Sequence, residues 1–402
     1  DCAGWYYPVA ENLANDRGLV VGDVDRPALD RPPGQVLLLS VVFRIGKVVG
    51  VDKVTMVYGY NVLLLSLAAY LLFLSSQLVW GIRGGLISAA LWSSNPFTLW
   101  FLNQPFSEVP FFVCIYFSTW LFLRERRKRI PRCASMLAVG LALGFATLMR
   151  PIGIFLAAPV LCTLWLTGER ATRKSLLIAS IGIIGGTWAA LAPWQIFLFS
   201  QTGSVSIVSD GAHGHRSVVE GFIFGLRSED YKAEIVLPPD VRRFMEGMHS
   251  TVFRYSETPE GVRQYGPDAS LDVRKTENVV KIALSRLTES PGLMLRFLWL
   301  KISRSWYGTD SHQNEGIAMY VMMPYLVFCG LGLLQSIRDP RTRSLGVLVG
   351  LMTIYFWIFS IVFTPLVRYM IPALGLLLLV APGIGHLNKG IKNGDLSSGQ
   401  RN

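Results

Sequence analysis

The chain has 402 residues, of which 51% are hydrophobic and only 16% charged, with a formal net charge of +11. A soluble globular protein carries about 25% charged residues, so this composition excludes a water-soluble domain and leaves a polytopic membrane protein. The positive excess does not mark a nucleic-acid binder, because it is scattered over short loops instead of forming a basic groove or stripe.

The chain opens at Asp1 with neither a methionine nor an apolar leader, so a further helix is expected upstream. Asp1-Cys2-Ala3-Gly4-Trp5-Tyr6-Tyr7 is an aromatic-rich stretch of the kind found at a membrane interface. Most carboxylates that follow (Glu11, Asp16, Asp23, Asp25) read as solvated. Asp30 differs, because in Asp30-Arg31-Pro32-Pro33-Gly34 the prolines stiffen the backbone beside it. A carboxylate next to a fixed cation at a membrane surface suits a phosphate, bound directly or through a metal ion. Segment 36–50 reaches only ~22 Å at ~1.5 Å per residue and carries Arg44 and Lys47. It is too short to cross and is expected to lie as an interfacial helix.

Nine apolar segments then have the length of membrane spans: 54–80, 85–102, 105–123, 133–149, 151–167, 175–200, 317–336, 344–364 and 366–386. Short basic clusters alternate between them, at Arg83, Arg124–Arg132, Glu169–Lys174 and Arg338–Arg343. Counted with the tail, they hold sixteen Lys or Arg against four Asp or Glu. Segment 1–53 is nearly balanced at six against seven, and 201–316 at fourteen against fifteen. The positive-inside rule therefore assigns the clusters to the cytoplasm and both balanced segments to the outside. The expected order is a first extracytoplasmic loop (1–53) and six transmembrane helices (54–200). A large extracytoplasmic loop (201–316), three further helices (317–386) and a cytoplasmic tail (387–402) follow.

Ionisable residues at membrane helices are costly and mark function by default. Glu108, Arg150 and Arg368 all fall at the outer ends of their helices, where snorkelling to headgroups is the alternative role. In the second outer loop, Ser290-Pro291 reads as the N-cap and first residue of a helix. On it Arg296, Lys301 and Arg304 share one arc, with Leu295, Leu298, Trp299 and Ile302 opposite. That helix is expected to lie flat on the bilayer with its cations offered to anionic headgroups. His213 and His215 are a weak metal-ligand pair without further ligand spacing, and the five cysteines form no CxxC pair, so packing is the cysteines' expected role.

Asp1…Tyr6-Tyr7…Ala10-Glu11-Asn12-Leu13 followed by Arg31-Pro32-Pro33-Gly34 resembles the first loop of the GT-C membrane glycosyltransferases. The nearest group is the bacterial relatives of dolichyl-phosphate-mannose protein mannosyltransferases and of lipid A aminoarabinose transferase. Ser107-Glu108, Met149-Arg150-Pro151, Pro193-Trp194, Pro291…Lys301…Arg304-Ser305-Trp306 and Arg368-Tyr369…Pro372 continue the resemblance in the family's order. It implies an all-α, GT-C-like helical bundle of the bacterial inner membrane, working on its extracytoplasmic face. The implied reaction moves a sugar from a polyprenyl-phosphate donor to an acceptor hydroxyl, with inversion; the acceptor, whether glycan, lipid or protein, is left open.

By the same resemblance Asp1 is the base, Asp30 and Glu108 complete the catalytic carboxylates, and Arg31, Arg150, Lys301, Arg304, Arg368 and Tyr369 face the donor phosphate. A divalent metal ion is the one cofactor it admits, with Asp30 as ligand. Cys2 stands where relatives often carry a second acidic residue. A transporter or flippase and a non-catalytic scaffold are the other classes. The first calls for charges buried mid-helix and for broken or repeated helices, which the sequence does not display.

Overall fold

The computed structural model describes residues 2–22, 27–128, 132–168, 172–203, 205, 239–241, 243, 255–257, 263–265, 288–309, 314–363 and 365–386. These residues form an all-α protein, with one short antiparallel ladder of β1 (Tyr255–Glu257) and β2 (Arg263–Tyr265). Asp1, His213, His215 and the tail from 387 lie outside the described residues. The chain divides into two compact units. The first comprises Asp1–Ser209, Tyr325–Tyr355 and Ile371–Asn402; the second comprises Asp210–Pro324 and Phe356–Met370.

The first unit opens with a helix that the sequence did not signal, α1 (Cys2–Ala14). Pro8 inside it removes a hydrogen bond that the carbonyl of Gly4 would accept, but Gly4 is exposed and water can take its place. What holds α1 is tertiary packing. Tyr6, Val9, Ala10 and Ala14 bury against Val36, Leu39, Val42 and Phe43 of α2 (Gly34–Val49). The second helix stops at Gly50, whose φ of 69° is the left-handed C-cap that glycine takes without strain.

The next helical stretch, α3 (Lys53–Ser94), is broken at Gly81 (φ 75°, ψ −176°). The hydroxyls of Ser76 and Ser88 are 2.9 Å apart, whereas twelve residues of unbroken helix would separate them by ~18 Å. The chain therefore reverses at Gly81, and 53–80 and 82–94 are the two arms of a hairpin. The second arm ends at Asn95, whose side chain caps α4 (Pro96–Trp100), followed by a 3-10 turn at Phe101–Asn103. The span expected over 85–102 is thus cut into three pieces, because Asn95-Pro96 favours a cap and a fresh helix start over continuation. The buried Asn61 amide fixes this break by donating to the carbonyls of Phe101 (3.0 Å), Leu102 (3.0 Å) and Gln104 (2.7 Å).

After α5 (Glu108–Arg126) come α6 (Cys133–Met149), α7 (Ala157–Leu166) and α8 (Arg173–Thr202). The sixth and eighth touch backbone to backbone: a Cβ on Gly140 would lie 2.1 Å from the Ile183 carbonyl, and one on Gly186 2.2 Å from that of Leu137. Such close approach is how membrane helices associate where water supplies no hydrophobic drive. Between α6 and α7 the chain makes a 3-10 turn at Pro151–Gly153, so the helix expected to begin at 151 starts at Ala157.

In the second unit, α9 (Pro291–Arg304) starts where Ser290-Pro291 predicts, but the Ser290 side chain makes no capping bond. Two of its three cations are not where the sequence pattern puts them. Met294, Phe297, Lys301 and Arg304 are buried, whereas Leu295 is 62% and Trp299 70% exposed. Lys301 and Arg304 turn inward because the Ile361 carbonyl and the Glu315 carboxylate wait there. Arg296 alone of the three cations faces outward, paired with Asp240. The remaining helices, each with residues in both units, are α10 (Glu315–Arg338), α11 (Arg343–Val362) and α12 (Val367–Leu378), the last followed by a 3-10 turn at Ala381–His386. Among the described residues five segments are long and apolar enough to cross a bilayer: Lys53–Ser94, Arg173–Thr202, Glu315–Arg338, Arg343–Val362 and Val367–Gly385. The first of them is the hairpin.

Candidate functional site

Three close contacts assemble the polar cluster of the first unit. Gly34 leaves no room for a side chain, since a Cβ there would lie 2.6 Å from the Leu148 carbonyl and 2.7 Å from the Met149 sulfur. Pro32-Pro33-Gly34 is therefore pressed onto the end of α6, one residue before Arg150. The buried Gln35 amide donates to the Pro105 carbonyl at 3.0 Å, tying the start of α2 to the loop that leads into Ser107-Glu108. Tyr60 donates to the other end of the Gln35 amide at 3.4 Å. Arg31, Glu108 and Arg150, 119 residues apart at the extremes of the sequence, are thus carried by elements clamped to one another.

Glu108, in the first turn of α5, is 5% exposed and forms an ion pair with Arg150, which caps the end of α6 in an extended conformation. Tyr6 reaches the same place from α1. Its phenol is hydrogen-bonded to the Ser107 side chain and feels the charges of Arg31, Glu108 and Arg150. Burial raises its pKa despite the opposing pull of Ser107 and the arginines, so Tyr6 stays a neutral hydroxyl. The Arg31 guanidinium carbon lies 5.0 Å from the Trp5 ring centroid and 5.2 Å from that of Tyr6, within cation–π reach of both. The rings meet edge to face at 86°. Asp30 is half-buried at the turn before α2.

Tyr6 belongs to the sequence motif, yet its position between Ser107 and the ion pair has no local sequence signal. Trp5 was legible only as an interfacial aromatic. Its indole Nε1 is buried and has no hydrogen-bond acceptor, a state that costs about 1–3 kcal/mol and needs an explanation.

The second unit holds the other predicted cations. Arg304 grips Glu315 with two nitrogens, one contact being 3.2 Å from Nε to Oε2, and the amide of Thr309 donates to the same carboxylate at 3.2 Å. Lys301 is fully buried; its ammonium donates to the Ile361 carbonyl and sits 5.8 Å from the Phe297 ring centroid. Burial drives its pKa well below the ordinary lysine range, so it is a weaker partner for a phosphate than either guanidinium. The Val367 amide donates to the Gly308 carbonyl at 2.8 Å, which joins the turn after α9 to the start of α12. There Arg368 donates to the Tyr369 hydroxyl at 2.9 Å and lies 4.9 Å from its ring centroid.

No group of three or more His, Cys, Asp or Glu that could hold a metal ion occurs among the described residues. Asp30 has a guanidinium as its sequence neighbour instead of a second carboxylate, so no step is derived through a metal.

Residues 30–196, less than half of the chain, match the family model of dolichyl-phosphate-mannose-protein mannosyltransferase. That segment carries Asp30, Arg31, Glu108 and Arg150. No curated protein sequence matches the chain. Among solved structures, the Archaeoglobus fulgidus oligosaccharyltransferase tethered to an acceptor peptide is 14% identical. Its alignment covers 99% of this chain and 47% of the other, at a TM-score of 0.50. The same organism's oligosaccharyltransferase AglB, in complex with an inhibitory peptide and a dolichol-phosphate, is 13% identical over 99% and 48%, at 0.49. ArnT from Cupriavidus metallidurans bound to undecaprenyl phosphate is 14% identical over 96% and 74%, at 0.43. The chain spans about half the length of the oligosaccharyltransferases it matches. In its family match, and in a helical fold shared with an oligosaccharyltransferase, the chain is similar to the GT-C membrane glycosyltransferases of the protein-mannosyltransferase type.

Proposed function

We propose that the protein transfers a sugar from a polyprenyl-phosphate donor to an acceptor hydroxyl at the extracytoplasmic face of the membrane. The observation that carries the reading is the buried Glu108–Arg150 pair set beside Tyr6, Ser107 and Arg31. It lies inside the segment matched by a family whose name specifies dolichyl-phosphate-mannose. Ionisable groups at a membrane helix end are costly, so a buried pair there is a functional candidate by default.

In the proposed reaction the acceptor oxygen attacks the anomeric carbon while its proton passes to a carboxylate. The bond from that carbon to the phosphate oxygen breaks, and polyprenyl phosphate leaves with the bonding electrons. Attack opposite the leaving group inverts the anomeric centre. Asp1, covalently joined to the first residue of α1, is the base in this scheme. Glu108 is less suited, because its carboxylate is already engaged by Arg150. Arg31 stabilises the charge that develops on the phosphate. The sequence assigns the same ligand to Lys301, Arg304, Arg368 and Tyr369; of these, Lys301 and Arg304 are also engaged with Ile361 and Glu315.

The test supplies polyprenyl-phosphate sugars labelled in the sugar to full-length protein in detergent and follows release of polyprenyl phosphate. Release that requires an acceptor and stops on Arg31→Gln supports the reading. Donor that stays intact across a panel of sugars and acceptors would defeat it.

A further inference from the structure

The buried indole nitrogen of Trp5 is not accounted for by the fold. Trp5 packs partly against the core shared by α1 and α2, and its aromatic carbons are used there and under Arg31. Its N–H is out of contact with water and meets no acceptor. Tryptophan has one donor and no acceptor, so only an oxygen or another acceptor from outside the described structure can satisfy it. The guanidinium of Arg31 lies 5.0 Å from the same ring, and Tyr6, edge-on to Trp5, leads to Ser107 and the Glu108–Arg150 pair. The orphaned donor is therefore beside a cation in the polar cluster.

We propose that the Trp5 Nε1–H is a ligand-binding donor which, together with Arg31, seats a non-bridging oxygen of the donor phosphate. The inference rests on the glycosyltransferase reading and adds to it a residue that touches the donor. Two features favour phosphate over a sugar hydroxyl. A donor-only group is best matched by an acceptor-only oxygen, whereas a hydroxyl also has a proton to place. The neighbouring guanidinium makes an anion the stronger of the two ligands at that spot.

The test measures binding of polyprenyl monophosphate, without sugar, to the full chain in detergent. It compares wild type, Trp5→Phe, and a variant with 3-benzothienylalanine at position 5, which keeps the shape of indole but replaces N–H with sulfur. Both variants should bind about 5–10-fold more weakly, and the benzothienyl variant should unfold no earlier than wild type in the absence of lipid. The benzothienyl variant keeps the outcome readable if phenylalanine packs poorly. Wild-type affinity in the benzothienyl variant overturns the Trp5 inference and leaves the glycosyltransferase reading standing. A loss seen only with the sugar-bearing donor also overturns it, because the N–H would then serve a sugar hydroxyl. Wild type that binds no polyprenyl monophosphate defeats the inference and the broader reading together.

Discussion

Glu108 and Arg150 form an ion pair, with side chains 6% and 16% exposed, so removing either breaks a largely buried charge pair. Glu108→Gln should lower stability by about 3 kcal/mol, and combining it with Arg150→Gln should recover a large part of that loss. Thermal unfolding of the four forms in detergent measures the coupling, and additive losses would mean that the pair is not linked. Asp1→Asn keeps the size of the side chain but cannot take the proton; its turnover should fall about 10²–10⁴-fold while donor binding changes little. Near-normal turnover would move the base to Asp30 or Glu108. In the second unit Arg368→Gln should slow transfer by the equivalent of roughly 2–4 kcal/mol. Arg368→Lys should restore only part, since one ammonium does not reproduce a guanidinium edge. Equal rates for all three forms would take Arg368 out of the site. At this scale the sequence showed the costly charges, because an ionisable residue at an apolar helix end stands out. It did not show Tyr6 against Ser107 or the orphaned Trp5 nitrogen, because both depend on which helix α1 meets.

Helices were legible where apolar length exceeded the bilayer, and obscured where a distant partner decided the outcome. The inward turn of Lys301 and Arg304 is the clearest case. On pattern alone Lys301 and Arg304 face headgroups together with Arg296, yet acceptors 60 residues on, at Ile361, and 11 residues on, at Glu315, draw them inward. The first helix was missed because Pro8 interrupts its pattern, although packing against α2 holds it. The join that matters most for the site is Gly34 on the end of α6. Gly34→Ala puts a methyl group 2.6 Å from the Leu148 carbonyl, a backbone atom that cannot swing away. The expected loss is about 1–3 kcal/mol of stability, with weaker donor binding because Arg31 is displaced. Normal unfolding and binding in that variant would show that the α2–α6 contact does not place the arginine.

Glu125, near the end of α5, offers a pH test of a different join. Burial disfavours its ionised form, but hydrogen bonds from Lys128 and the Arg132 amide outweigh burial and hold its pKa below the ordinary carboxylate value. Its stabilising contribution is therefore complete above that ordinary value and lost as pH falls through the lowered one. Between about pH 5 and pH 3, wild type should lose more unfolding temperature than Glu125→Gln. Parallel curves would deny Glu125 that role.

For the whole molecule, the charge distribution predicts one shared face for every candidate residue. With the native cysteines replaced, a cysteine at position 230 should react with an impermeant reagent added outside intact cells, and one at position 128 should not. The opposite pattern would place 1–53 and 201–316 in the cytoplasm and invert the account. The sequence showed a helical membrane protein and its family likeness because hydropathy and motif order survive without contacts. It did not show the chain reversal at Gly81 or the clamps at Gly34 and Gln35, which are properties of neighbours. The central claim is that the Arg31 and Glu108–Arg150 cluster carries sugar transfer from a polyprenyl phosphate. Its most direct test is single-turnover release of polyprenyl phosphate from a labelled polyprenyl-phosphate sugar by wild type and by Arg31→Gln, at matched folding. The account predicts release by wild type and a loss of at least about 10²-fold in the variant; equal release from both would contradict it.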